Sequence, residues 1–459
     1  MRFPLLARAI AIGAVALAIL FPLALVTGKI SERQHRASEV ETAFARETSG
    51  PQTVVGPLLA LDCEETVLEE RVVKRGGKEE TITESKTRAC ARAYFPPRTL
   101  EIVGRVPIES RHRGIYPIRL YRATMSFAGQ FDWPAPPSQE GALSRKWKGA
   151  SVVVATGDAR GIKHVSPLAW NAGTLAFASG HASGEPVFSL EAPLGDYGSI
   201  PIKAFTPIAY GFTLRLIGTK ALLLGPVGDT TSIRLGSDWP HPSFIGSFSP
   251  DERGVGPQGF EATWKTTHFA TGGRNAWQPK AGKGRAAQWD NVAGFSLADP
   301  VNVYSLSYRA TEYGFLFVLF TFAGLALTEI LAGLRIHPVQ YALVGSALAV
   351  FFLLLIALAE HVAFPGAYAA AAAACVLLLT FYLRAPLGTW ARTGAFLGLF
   401  VTLYGALYAL LRSEDHALLA GSVLVFGVLA AGMIATRRVD WGGLASRLGA
   451  GPAAANPAP

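Results

Sequence analysis

Charge is what this sequence has least of. Only 16 % of its 459 residues are charged and half are apolar, against about a quarter charged in an ordinary soluble domain. The shortage is uneven. Of 42 Lys/Arg and 33 Asp/Glu, 33 and 27 lie between positions 29 and 309, and only twelve charged residues remain from 312 to 440. That excludes both a wholly soluble chain and a wholly membrane-embedded one. Reactive motifs are scarce as well. The sequence holds no C-x-x-C and no H-E-x-x-H, so the usual metal spacings are missing. It also lacks a G-x-S-x-G elbow and a P-loop, which removes the common hydrolase and nucleotide signatures. No cofactor is expected, and nothing marks a nucleic-acid partner.

What the sequence does have is apolar runs. Crossing ~30 Å of hydrocarbon takes about 20 mostly apolar residues, because the backbone must satisfy its own hydrogen bonds there. Segments 9–28, 312–334, 338–359, 362–383, 393–411 and 416–436 meet that length, the second interrupted internally only by Glu329. The pattern predicts six transmembrane helices. The first follows Arg2 and Arg8 like a signal peptide, but it exceeds the usual h-region and no small-x-small site precedes Lys29. An uncleaved signal anchor is expected.

Orientation follows from the short loops. With the N-terminus inside, inner segments carry Arg2, Arg8, Arg335, Arg384, Arg392, Arg437, Arg438 and Arg447, whereas the short outer loops carry only Arg412. Residues 1–8 and both termini are then cytoplasmic, and residues 437–459 form a tail whose Ala, Gly and Pro content reads as disordered. Residues 29–311 lie outside, in the periplasm if the cell has one. Their excess of basic residues does not oppose this, since long translocated domains escape the rule.

The outer stretch reads as β. Short β-branched and aromatic runs at 151–155, 213–218, 221–224, 232–235 and 262–269 are separated by Gly, Pro, Asn and Asp. An all-β sandwich, in one or two lobes, is the expectation. Only 31–46 differs, a polar segment read as a helix continuing out of the membrane. The fold class is therefore mixed: a multi-pass α-helical membrane protein with a large β domain inserted between helices one and two.

There are three cysteines. Cys375 sits in an alanine-rich span, where a thiol is a small packing residue. Cys63 and Cys90 flank two polar arms that meet at Gly76-Gly77, a two-residue hairpin signal. If those glycines form the loop, paired residues have numbers summing to 153: Glu65 faces Arg88, Lys74 faces Glu79, and Cys63 faces Cys90. In an oxidising compartment the expected outcome is a Cys63–Cys90 disulfide.

Three constellations carry candidate chemistry. Arg105, Arg111, Arg113, Arg119 and Arg122 form a basic stretch that suits anionic headgroups or polysaccharide phosphate, or is simply a solvated strand face. Glu360 and His361 end the third span on the outer side, and Glu414, Asp415 and His416 form the outer turn between spans five and six. Together they suit a proton relay or a cation, although Ser413 or Asp415 equally suits an N-cap for the last helix. Glu329 is an intramembrane carboxylate, functional by default or paired with a nearby arginine.

Longer runs carry a resemblance. Residues 329–364 (EILAGLRIHPVQYALVGSALAVFFLLLIALAEHVAF) and 403–441 (LYGALYALLRSEDHALLAGSVLVFGVLAAGMIATRRVDW) resemble the CreD family of bacterial inner-membrane proteins. The signatures R-I-H-P-x-Q-Y-x-L-V-G, S-E-D-x-A-L-L and T-R-R-x-D-W carry it, and so do RGIY, DARGIK, SDWPHPSFIGSF and GFEATW in the outer stretch. The resemblance implies a non-enzymatic protein of the cell inner membrane linked to envelope integrity and envelope stress, beside a two-component regulatory system. This chain departs from it at Arg412, where the family usually has Gln, and in its Cys-bracketed hairpin. The implied partners are the lipid bilayer and an envelope glycan, lipid or protein, with homo-oligomers open. The competing reading is an ion-coupled transporter using Glu329 and the outer acidic cluster.

Overall fold

The computed structural model describes residues 4–75, 78–90, 92–135, 144–180, 188–200, 202–272, 291–297, 303–332, 334, 336–412 and 417–437. Two compact units emerge: Met1–Ser38 with Val301–Pro459, and Glu39–Pro300. Helix α1 (Pro4–Glu47) runs through both. Its 44 residues extend about 66 Å at 1.5 Å per residue, so it outruns the hydrocarbon as the polar 31–46 segment predicts.

The β unit holds two mixed sheets. The first, of nine strands among the described residues, runs Ala178–Ser179, Phe188–Asp196, Ser144–Thr156, Gln52–Arg75, Ala221–Gly225, Ala293–Leu297, Pro242–Gly246. Lys78–Ala89 and Ala93–Phe95 also pair with Gln52–Arg75. The second, of ten, runs Gly173–Leu175, Leu168–Trp170, Pro207–Thr219, Tyr116–Asp132, Thr99–Arg105, Thr230–Ser237, Gly259–Thr267, Glu252–Gly256. Ile108–Arg113 pairs with Tyr116–Asp132, and Ile162–Val165 with Pro207–Thr219.

Period-2 alternation explains which face is buried. Along Tyr116–Asp132, Ala123, Met125 and Phe127 are buried while Thr124, Ser126 and Ala128 are exposed. Both sheets contribute to one core, Leu58, Val152 and Phe295 from the first and Phe127, Leu214, Ile233 and Trp264 from the second. Tyr121 bridges them, its hydroxyl donating to the Ala221 carbonyl at 2.7 Å. Burial holds that phenol well above its ordinary pKa, so it remains a donor.

The strand runs read from the sequence fall inside strands, with one correction. Strand Gly259–Thr267 stops short of 269, because the chain turns into a single helical turn, α2 (His268–Thr271). Gly272 closes that turn in the left-handed region (φ 82°), where glycine has no Cβ to clash. The hairpin pairs Glu65 with Arg88 and Lys74 with Glu79, while Gly76-Gly77 lie outside the described residues. At its base a disulfide joins Cys63 and Cys90, whose Cα atoms are 5.4 Å apart. Glu65 accepts from Arg145 at 2.8 Å and from Arg88 at 3.0 Å. Those two guanidinium groups hold its carboxyl below the ordinary carboxylate range.

The helical unit continues with α3 (Val303–Glu312), α4 (Gly314–Ala332), α5 (Pro338–Ala359), α6 (Phe364–Leu387), α7 (Trp390–Arg412) and α8 (Ala417–Thr436). Helices α1, α5, α6 and α7 are each long and apolar enough to cross a membrane, and α3 with α4 supplies a fifth candidate bent by 43°. Residues 303–311, read as the end of the outer stretch, instead form α3. It buries Tyr304, Leu306, Ser307, Ala310 and Thr311, a face in which two hydroxyl side chains interrupt the apolar run. His337 caps α5 through a capping box with Gln340, and Pro338 opens the helix. Close approach of α1 to α5 depends on Gly345: a Cβ there would lie 2.7 Å from Ile19 Cγ1. Tyr404 of α7 meets Phe317 of α4 and Phe351 of α5, each with ring centroids 4.7 Å away, and Tyr368 of α6 donates to its carbonyl at 2.6 Å.

Candidate functional site

The membrane carboxylates are each held by a neighbour. The Tyr341 hydroxyl of α5 donates to Glu329 Oε2 at 3.2 Å. Arg335, the expected arginine partner, lies outside the described residues. Glu360 is the C-cap of α5, and its Oε1 sits 3.8 Å from an Arg33 guanidinium nitrogen on α1. With 10 % of its side chain exposed, Glu360 is nearly buried against that cation. His361 is exposed and follows Glu360 in the turn, its N–H on the Leu358 carbonyl at 3.0 Å. Glu414, Asp415 and His416 lie outside the described residues. Among the described residues, no three His, Cys, Asp or Glu gather as metal ligands do.

The basic stretch divides differently. Arg111 and Arg122 both engage Glu109, and Arg113 donates to the Glu47 carboxylate at 3.0 and 3.1 Å. Arg119 stacks on Trp239, its guanidinium carbon 4.3 Å from the ring centre. Each of these four thus has a partner within the β unit. Arg105 remains, exposed on the outer face of the ten-stranded sheet.

Register surrounds it with residues from distant parts of the chain. His164 pairs with Arg215, Arg215 with Thr124, and Thr124 with Arg105. Arg105 pairs with Gly236, Gly236 with Glu261, and Glu261 with Gly254. The row therefore crosses seven strands, roughly 29 Å at ~4.8 Å per strand. Arg234 lies two residues before Gly236, on the same face. Among the described residues no carboxylate or carbonyl pairs with Arg105, Arg215 or Arg234.

An open groove of about 930 Å3 occupies one end of this row. Its lining includes Arg105, Arg234, Asp238, Gln258 and Glu261. Glycine makes the space. A Cβ on Gly236 would find its nearest neighbour at 3.8 Å, on Glu261, and one on Gly254 would find nothing within 4 Å. A ligand can thus lie against the backbone, within reach of guanidinium donors and carboxylate acceptors. Asp238, just past the strand that holds Arg234, accepts at Oδ1 from the Ile108 N–H at 2.9 Å.

Sequence reasoning reached Arg105 and missed its partners. The available signal was that Arg215 and Arg234 are the lone charges inside apolar strand runs, so period-2 alternation points them outward. Only register brings them together.

Fold and site define a multi-pass helical membrane protein bearing a large β-sheet domain with an open polar groove. Residues 4–442 match the family described as Inner membrane protein CreD. The chain is 32 % identical to the Inner membrane protein CreD of Escherichia coli over 445 residues, covering 96 % of this chain and 94 % of that protein. It belongs to the CreD family of bacterial inner-membrane proteins. Among solved structures, an M1 zinc metallopeptidase from Deinococcus radiodurans aligns over 37 % of this chain and 38 % of its own, at 11 % identity and a TM-score of 0.18. A likeness that slight bears on neither fold nor function.

Proposed function

We propose that this chain supports cell-envelope integrity by holding its β unit outside the cytoplasm, where the groove binds a component of the envelope. In this reading α8 is the sixth span and both termini are cytoplasmic, consistent with the arginine bias of the short loops. The protein works by binding, not catalysis. The observation that carries the reading is the groove itself: an exposed sheet face where arginines with no ion-pair partner among the described residues lie near carboxylates, over glycines that keep it open.

Gly236→Trp tests it. Gly236 has an ordinary backbone conformation and open space at its Cβ, so the fold tolerates a side chain there while the indole fills the groove. In a strain lacking the chromosomal copy, Gly236→Trp at normal protein level is expected to lose tolerance to bile-salt challenge, and Gly236→Ala to keep it. Full tolerance in the Trp variant removes the groove from the function.

A further inference from the structure

We infer that the groove's ligand is a phosphate-bearing glycan segment; this rests on the groove reading above. Arg105 and Arg234 sit on adjacent parallel strands, Arg105 opposite Gly236 and Arg234 opposite Val103. A separation of one strand and two residues puts their Cα atoms about 8 Å apart on one face. Two guanidinium forks at that spacing converge on a single tetrahedral anion, and their planar donors match phosphate oxygens in bidentate fashion. Both side chains are exposed and therefore open to a ligand. Arg215 and His164 extend the row beyond Thr124 and supply further donors to a longer segment.

The groove's carboxylates decide against a uniformly acidic polymer. Glu261 and Asp238 repel further anionic groups, but they accept hydroxyl hydrogen bonds, as does Gln258. The ligand therefore carries both an anionic group and free hydroxyls. Inorganic phosphate alone leaves most of the 930 Å3 empty. A phosphorylated sugar unit within a chain satisfies both the arginines and the carboxylates.

The test uses the full chain in nanodiscs of phosphatidylcholine and two labelled oligomannosides, identical except that one carries a phosphodiester. The wild type is expected to bind the phosphorylated probe at least tenfold more tightly than the neutral one, with affinity falling as salt rises. Arg105→Gln with Arg234→Gln is expected to erase that preference at unchanged thermal stability. Equal binding of the two probes, or an unchanged preference in the double variant, overturns the inference. A preference for phosphatidylglycerol vesicles over the phosphorylated probe, lost in the same variant, also overturns it and assigns the arginines to a membrane surface. Failure here is separable from failure of the groove reading. If the double variant keeps stress tolerance while Gly236→Trp loses it, the groove stands without the phosphate. If Gly236→Trp also keeps tolerance, both fall.

Discussion

Replacing Trp264 with alanine is expected to destabilise the β unit by about 3–5 kcal/mol. Trp264 is 1 % exposed and is among the largest fully buried side chains. Its indole meets Phe244 edge-on at 5.8 Å, and its Nε1 donates to the Phe248 carbonyl at 3.2 Å. Truncation removes the buried area, opens a cavity between the sheets and leaves a carbonyl without its donor. Because a domain's whole stability is about 5–15 kcal/mol, such a loss approaches unfolding. Urea titration of the full chain in micelles, read as protease resistance of the β unit, measures it. A midpoint like the wild type's means Trp264 lies outside the core.

Loss of the Cys63–Cys90 bond should cost nearly as much. The cysteines are 27 residues apart, and closing a loop of that length restricts the unfolded chain by about 3 kcal/mol. The bond also holds the hairpin base where Glu65 takes Arg88 and Arg145, so the double serine variant is expected to become protease-sensitive there first. A non-reducing peptide map of protein made outside the cytoplasm is the prior check. Two free thiols in that map, or equal stability of the serine variant, refutes this.

The hairpin was legible in the sequence because two polar arms bracket a Gly-Gly signal, and the register from Arg75–Lys78 to Glu64–Ala89 follows from one number. Of the six expected spans, those of α1, α5, α6 and α7 were legible for a similar reason, with α3 and α4 together a fifth candidate: lipid demands length and apolarity, and both are written along the chain. Helix α3 itself was not legible, because serine and threonine interrupt its buried face. The groove was illegible for a different reason. His164, Arg215, Thr124, Arg105, Gly236 and Glu261 come from six separate strands. Alternation shows that each points outward, but not which strand lies beside which. Parallel pairing of Thr99–Arg105 with Thr230–Ser237, which unites Arg105 and Arg234, needs a long-range crossover that no local signal announces. Glu360 gave a similar result. Its place at a helix end was readable, whereas its ion pair with Arg33 on α1 needed the helices to be assembled.

An envelope ligand can reach the groove only if the β unit lies outside the cytoplasm, so sidedness tests the account most directly. Single cysteines introduced by Phe205→Cys, 71 % exposed in the β unit, and Trp390→Cys, 75 % exposed at the start of α7, are probed with a membrane-impermeant maleimide in a Cys375→Ala background. The account predicts labelling at 205 in intact cells and at 390 only after the inner membrane is permeabilised. Labelling at 390 in intact cells with 205 protected would contradict it.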